Sequence, residues 1–132
     1  MKTALLIPCH NAAAYLPRLW QTVRAQTRPF DAVFCYDDAS EDNTAAVAEA
    51  LGAQVIRSET NRGPAHARNA LLHACQAEWI HFHDADDLLT RNVRALTRAV
   101  VADLVGQHRQ RFGDERVVER RVVERRVESA TR

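Results

Sequence analysis

Residues 81–87 read HFHDADD, two histidines and three aspartates within seven positions. Zinc hydrolysis would draw on the imidazoles of His81 and His83, which fall two apart and so share one face of a strand. Phosphate chemistry with magnesium or manganese would draw on Asp84, Asp86 and Asp87 instead. Hard cations take oxygen ligands and share their shell with substrate phosphates. The two readings predict different proteins.

The zinc reading has the weaker fit. The spacing resembles the H-x-H-x-D-H motif of metallo-β-lactamase-like hydrolases, but position 85 is alanine and Asp86 stands where the third histidine belongs. Two histidines packed on a sheet face account for the pair. The aspartates are harder to explain as structure, because three adjacent carboxylates repel one another unless a cation or a donor network offsets the charge. A helix cap before Leu88 would use Asp87 and leave Asp84 and Asp86 unexplained.

Two further polar clusters resemble this one in placement. Pro8-Cys9-His10-Asn11 follows the apolar run at Thr3 to Pro8, and Asp37-Asp38-Ala39-Ser40 follows AVFCY at 32–36. Asp37 can serve as a cap for the next helix, which leaves Asp38 to accept from a base N–H or a ribose hydroxyl. A fourth polar segment, NRGPAHARN at 61–69, follows QVIR at 54–57. Gly63 permits an unusual turn there, and Arg62 or Arg68 could approach a pyrophosphate.

The elements that would position these clusters alternate. Short buried strands are expected at 3–8, 32–36, 54–57 and 79–83, each a brief apolar run bounded by polar or breaking residues. Helices are expected between them. Leu16, Leu19, Trp20 and Val23 recur at helical spacing, Ser40 and Asp42 are N-cap types ahead of Val47, Ala50 and Leu51, and Gly52 fits a helix stop. Another helix opens at Pro64, and a last one is expected over 90–101, with a strand at 102–105. Strictly alternating strands and helices indicate a parallel α/β sheet with right-handed crossovers, whose ligands bind beyond the carboxyl ends of the strands.

Composition sets the outer limits. A chain of 132 residues makes one compact domain, burying roughly two-thirds of its unfolded surface. A net charge of +1 gives no reason to expect nucleic acid as a partner. The opening MKTALLIPCHN holds an apolar run of four residues before proline, too short for a signal core or a transmembrane segment, so the cytoplasm is the expected compartment. Cys9, Cys35 and Cys75 sit in apolar runs and read as buried reduced thiols. Residues 1–105 form the folded unit in this reading. The remainder, 106–132, carries RVVER, RVVER and RVESA, a near-repeat of five. Five residues advance a helix by about 140° and reverse the face of a strand, so the valines never form one stripe. An irregular extension or one stabilised by a partner, such as a second copy of the chain, is expected.

The order IPCHNAAAYL, DDASEDNT, NRGPAHARN and HFHDADDLL resembles the GT-A glycosyltransferases of family 2. Their pattern has a strand ending in proline or threonine near an asparagine, then Asp-Asp-x-Ser, Asn-x-Gly-x-x-x-Ala-Arg-Asn and Asp-x-Asp. The resemblance implies a Rossmann-like GT-A sandwich with a mostly parallel central sheet flanked by helices, cut short relative to the family. It also implies a nucleotide-diphosphate sugar donor, usually a UDP sugar, and a divalent metal, Mn2+ or Mg2+. By that similarity Pro8, Asn11, Asp37 and Asp38 lie on the nucleotide side. Arg68 lies near the base or diphosphate, and Asp84, Ala85 and Asp86 hold ribose and metal, with Asp86 and Asp84 as metal ligands. Inverting transfer to a saccharide or lipid-linked acceptor would follow, with a separate carboxylate as base. No residue beyond 89 falls in a recognisable base motif, so the catalytic base is unassigned and the chain reads as the nucleotide-sugar half. The competing reading from another class is a nucleotide-binding interaction module without transferase activity.

Overall fold

A computed structural model describes residues 2–93. Four strands form one sheet: β1 (Thr3–Cys9), β2 (Ala32–Asp38), β3 (Gln54–Ser58) and β4 (Trp79–Phe82). Three helices connect them: α1 (Leu16–Arg24), α2 (Thr44–Leu51) and α3 (Pro64–Ala74). The sheet order is β3-β2-β1-β4 and every pairing is parallel. The expected parallel α/β layout is therefore present, with residues 94–101 of the last expected helix, the strand at 102–105 and the 106–132 tail lying outside the described residues. No helix among those described is long and apolar enough to cross a membrane.

Strand β1 is central because it is apolar on both faces. Leu5, Ile7 and Cys9 point into a layer with Leu16, Leu19, Trp20 and Val23 of α1 and Ala48 of α2. Ala4 and Leu6 point the other way, toward Ala67 and Leu71 of α3. The same alternation runs through β2, with Cys35 on one side and Tyr36 on the other. Period-two burial on both faces needs a helix layer on each side. The chain supplies it by winding from β1 outward to β3, then crossing back to place β4 on β1's free edge. That reversal opens a crevice at the carboxyl ends of β1 and β4.

The boundaries around Asp37 to Thr44 differ most from the sequence expectation. Strand β2 does not halt before the aspartates but runs through Asp37 and Asp38, whose backbones pair with Arg57 and Ser58 of β3. Helix α2 starts at Thr44, and neither Ser40, Asp42 nor Asp37 caps it by the usual side-chain bond. Asp42 instead accepts the Thr44 N–H at 3.0 Å and the Thr44 hydroxyl. The hydroxyl bond, foremost, holds the Asp42 carboxyl below its ordinary range.

His81 is a sheet residue, as expected, whereas β4 ends at Phe82 and His83 follows it directly. His81 is 4% exposed, tilted against Phe30 with ring centroids 6.1 Å apart and stacked on His83 at 5.7 Å. Neither of its ring nitrogens has a hydrogen-bond partner among the described residues. Burial first, and the neighbouring His83 second, push His81 down to about 3. The folded state thus holds His81 neutral where the unfolded chain would protonate it near 6.5. Stability from this site is complete above pH 6.5 and is lost as pH falls from 6.5 toward 3, at roughly 1.4 kcal/mol per pH unit. His81→Phe should remove that loss. Urea denaturation should show the variant gaining about 2 kcal/mol on wild type between pH 8 and pH 5, and an equal difference at both values would refute the assignment.

Candidate functional site

A cleft of about 490 Å³ opens at the carboxyl ends of the strands. That volume lies in the range of small-molecule and cofactor sites. Pro8, Cys9, His10 and Ala12 line it from β1 and its loop, Asp38 from β2, Asn61, Gly63, Pro64 and Ala67 from the loop and first turns of α3, and Asp84, Ala85 and Asp86 from the turn after β4.

The loops after β1 and β2 are knitted by hydrogen bonds. Asn11, in the left-handed region at φ 50°, donates its N–H to Ser40 Oγ at 2.9 Å and accepts the Glu41 N–H on Oδ1 at 2.8 Å. Asparagine tolerates that conformation better than most residues. Ala12 N–H donates to the buried Thr44 hydroxyl at 2.9 Å, and Ala13 N–H to Asp42 at 3.2 Å. Asp37 Oδ1 accepts the Ser40 N–H at 3.1 Å, which shapes the turn after β2. In consequence Asn11 and Asp37, both expected as binding residues, sit behind the cleft wall and shape it.

Asp38 is different. It is 5% exposed, and its two carboxylate oxygens accept the backbone N–H groups of Arg62 at 2.8 Å and Gly63 at 2.9 Å. Gly63 has φ 90°, a conformation strained for any residue with a Cβ, and this is what turns the loop's amides toward β2. The Asp38 carbonyl in turn faces His10 Nδ1 at 2.9 Å. A carbonyl only accepts, so His10 carries its proton on Nδ1 and turns an accepting Nε2 toward the side-chain amides of Asn11 at 3.3 Å and Asn61 at 3.5 Å.

The opposite rim is acidic. One carboxylate oxygen from each of Asp84, Asp86 and Asp87 lies within 4.8 Å of the others. Ala85 between them is buried in the layer that contains Ala12, Leu16 and Leu89, so the turn is seated by its alanine and displays its aspartates. Arg68 Nη2 stands 3.6 Å from Asp84 Oδ1, within ion-pair reach, and lies outside the cleft lining. The three carboxylates form a hard-oxygen donor set suited to magnesium or manganese. Cys9 lines the floor, and contact with the Cys35 thiol, then burial, push its thiol far up.

A sequence profile described as Glycosyl transferase family 2 matches residues 4–129. The chain belongs to this family. It is 31% identical over 99 residues to the poly(ribitol-phosphate) β-N-acetylglucosaminyltransferase TarS of Staphylococcus aureus, covering 69% of this chain and 17% of TarS. A crystal structure of TarS residues 1–349 with UDP-GlcNAc superposes with a TM-score of 0.64 at 31% identity, over 82% of this chain and 32% of that one. The mannosyltransferase PcManGT from Pyrobaculum calidifontis, in complex with GDP-Man and Mn2+, gives 0.71 at 25%, over 77% and 32%. This chain thus spans less than a third of each. The GT-A architecture expected from the sequence is the one these family 2 structures share.

Within the family 2 motifs, Pro8, Asp38, Asp84, Ala85 and Asp86 meet at the cleft, whereas Asn11, Asp37 and Arg68 stand behind it. His10, Tyr15, Asn61 and Gly63 line it without having been singled out as site residues. Asn61 and Gly63 were legible, since both are fixed positions of the Asn-x-Gly motif. His10 had only its place beside a strand end, and Tyr15 had no signal.

The role of Asp38 can be tested by stability. Asp38→Ala leaves the Arg62 and Gly63 amides without their acceptor and should cost about 1–3 kcal/mol in urea denaturation. Asp38→Asn, which keeps one accepting oxygen, should cost less. Equal stability of wild type and the alanine variant would show that the loop does not depend on this carboxylate.

Proposed function

We propose that the described residues form the donor site of an inverting glycosyltransferase that takes a nucleotide-diphosphate sugar, most naturally a UDP sugar. The observation that carries this reading is the pairing across one cleft of an amide-bound, inward-facing carboxylate, Asp38, with an acidic turn, Asp84–Asp87. A nucleotide has the matching polarity, with a hydrogen-bonding base and ribose at one end and a charged diphosphate at the other. The TarS complex with UDP-GlcNAc supports a uridine donor, and the PcManGT complex with GDP-Man and Mn2+ supports a metal.

In this reading the backbone at Pro8 and the free lone pairs of Asp38 face the base and ribose, with His10 Nε2 beside them. Asp86 and Asp84 hold a divalent cation, Mn2+ or Mg2+, and Arg68 orients Asp84 close to the diphosphate. When bound, the cation supplies electrostatic stabilisation to the departing diphosphate. The acceptor in this reading is a saccharide or lipid-linked glycan. The base that deprotonates its hydroxyl is unassigned.

Carboxylates beside a diphosphate repel it unless a cation lies between them. Calorimetry should therefore show UDP binding by the full chain that strengthens with Mn2+. Asp86→Ala should weaken the Mn2+-dependent affinity at least about tenfold, roughly 1.4 kcal/mol, with the fold retained by circular dichroism. Unchanged affinity in the variant would remove Asp86 from the metal site.

A further inference from the structure

The acidic turn is held by a side chain that none of the family motifs contains. His83 is 6% exposed and its backbone N–H bonds the Leu6 carbonyl at 3.0 Å, which fixes the residue at the end of the sheet. Its ring reaches forward four residues, placing Nε2 3.0 Å from the carbonyl oxygen of Asp87. Because that oxygen can only accept, Nε2 carries the proton and donates. The Asp87 N–H meanwhile donates to the Asp84 carbonyl at 3.2 Å, closing the turn 84–87. One end of the turn thus continues from the strand and the other is tied back to the strand by an imidazole.

We propose that His83 is the positioning residue of the acidic turn, holding the carboxylates of Asp84, Asp86 and Asp87 in a shared arrangement through the Asp87 carbonyl. It touches neither cleft nor carboxylate, and acts through the backbone. Three like charges within 4.8 Å favour a turn that opens. A donor to the turn's backbone opposes that opening without occupying a carboxylate, so the oxygens remain available to a cation. His81 supports the arrangement by stacking its ring on that of His83 at an interplanar angle of 25°. An aliphatic residue would satisfy the packing at position 83. Only a donor satisfies the carbonyl.

The metal consequence rests on the donor-site reading above, so the test separates the two. His83→Phe keeps a ring against His81 and removes the donor, whereas His83→Gln keeps a donor near the Nε2 position. Amide hydrogen exchange on the full chain, without metal, reads the turn directly at the Asp87 N–H. Mn2+ binding, followed by the electron spin resonance of the free ion, reads its consequence. His83→Phe should speed Asp87 exchange and weaken Mn2+ binding by roughly tenfold, a loss typical of groups that orient metal ligands. His83→Gln should recover most of both. Unchanged Asp87 exchange in a folded His83→Phe protein would overturn the proposal, as would a failure of His83→Gln to restore it. Faster exchange in His83→Phe, reversed by His83→Gln, in a protein whose wild type binds no Mn2+ would uphold the positioning role and sink the metal-site reading.

Discussion

The Asp38 carboxylate is the contact on which the cleft depends. A charge this deeply buried must be hydrogen-bonded or it would destabilise the fold by several kcal/mol. Asp38 meets that demand with two amides of the β3–α3 loop, and its own carbonyl accepts a hydrogen bond from His10 in the β1–α1 loop. Segments from two separate crossovers therefore converge on one residue at the end of β2. Remove it, and the loop carrying Asn61 and Gly63 loses the anchor that sets its height above the sheet. The cleft wall is a consequence of satisfying a buried carboxylate.

Topology decides where that wall stands. Residues 8–13 and 38–44 emerge from neighbouring strands, so short bonds such as Asn11 to Ser40 and Ala12 to Thr44 can lock them together. Strand β4, parallel to β1, lies on its other edge, and the aspartates that follow it stand on the far side of β1. The segment after it is tied down separately. Gln26 at the end of α1 donates to the Thr90 carbonyl at 2.6 Å and accepts the Val93 N–H at 3.3 Å, while Thr22 accepts the Leu89 N–H at 3.1 Å. Those bonds span more than sixty residues of sequence, and they fix the exit of the acidic turn as His83 fixes its closure.

Much of this was legible in the residue order. Alternating strands and helices follow from short apolar runs such as TALLIP and from the 16, 19, 20, 23 spacing, because burial periodicity is local. The three polar clusters at strand ends follow from the same reading. What was not legible depends on partners far away in sequence. Asp37 and Asp38 look alike as neighbours, yet strand alternation turns one toward Ser40 and the other under the Gly63 loop. An adjacent pair of aspartates does not disclose which will be buried. His83 read as packing because its acceptor is a backbone carbonyl, and every residue has one of those. Ala39, at φ 55°, carries left-handed strain of about 1–2 kcal/mol that its side chain does not announce.

The two rims treat negative charge in opposite ways, and the difference bears on what each can do. Asp38 has its charge answered from within by aligned N–H dipoles, so it acts as a shaped acceptor whose remaining lone pairs point where the fold aims them. The turn at 84–87 is only partly answered. Arg68 stands at 3.6 Å from Asp84, beyond hydrogen-bond length, and His83 contributes to the backbone and not to the carboxylates. Repulsion among Asp84, Asp86 and Asp87 is then held in place by packing of Ala85 and by the imidazole bond. A site in which the scaffold restrains like charges, without cancelling them, is ready for a cation and lowers its own electrostatic energy by taking one.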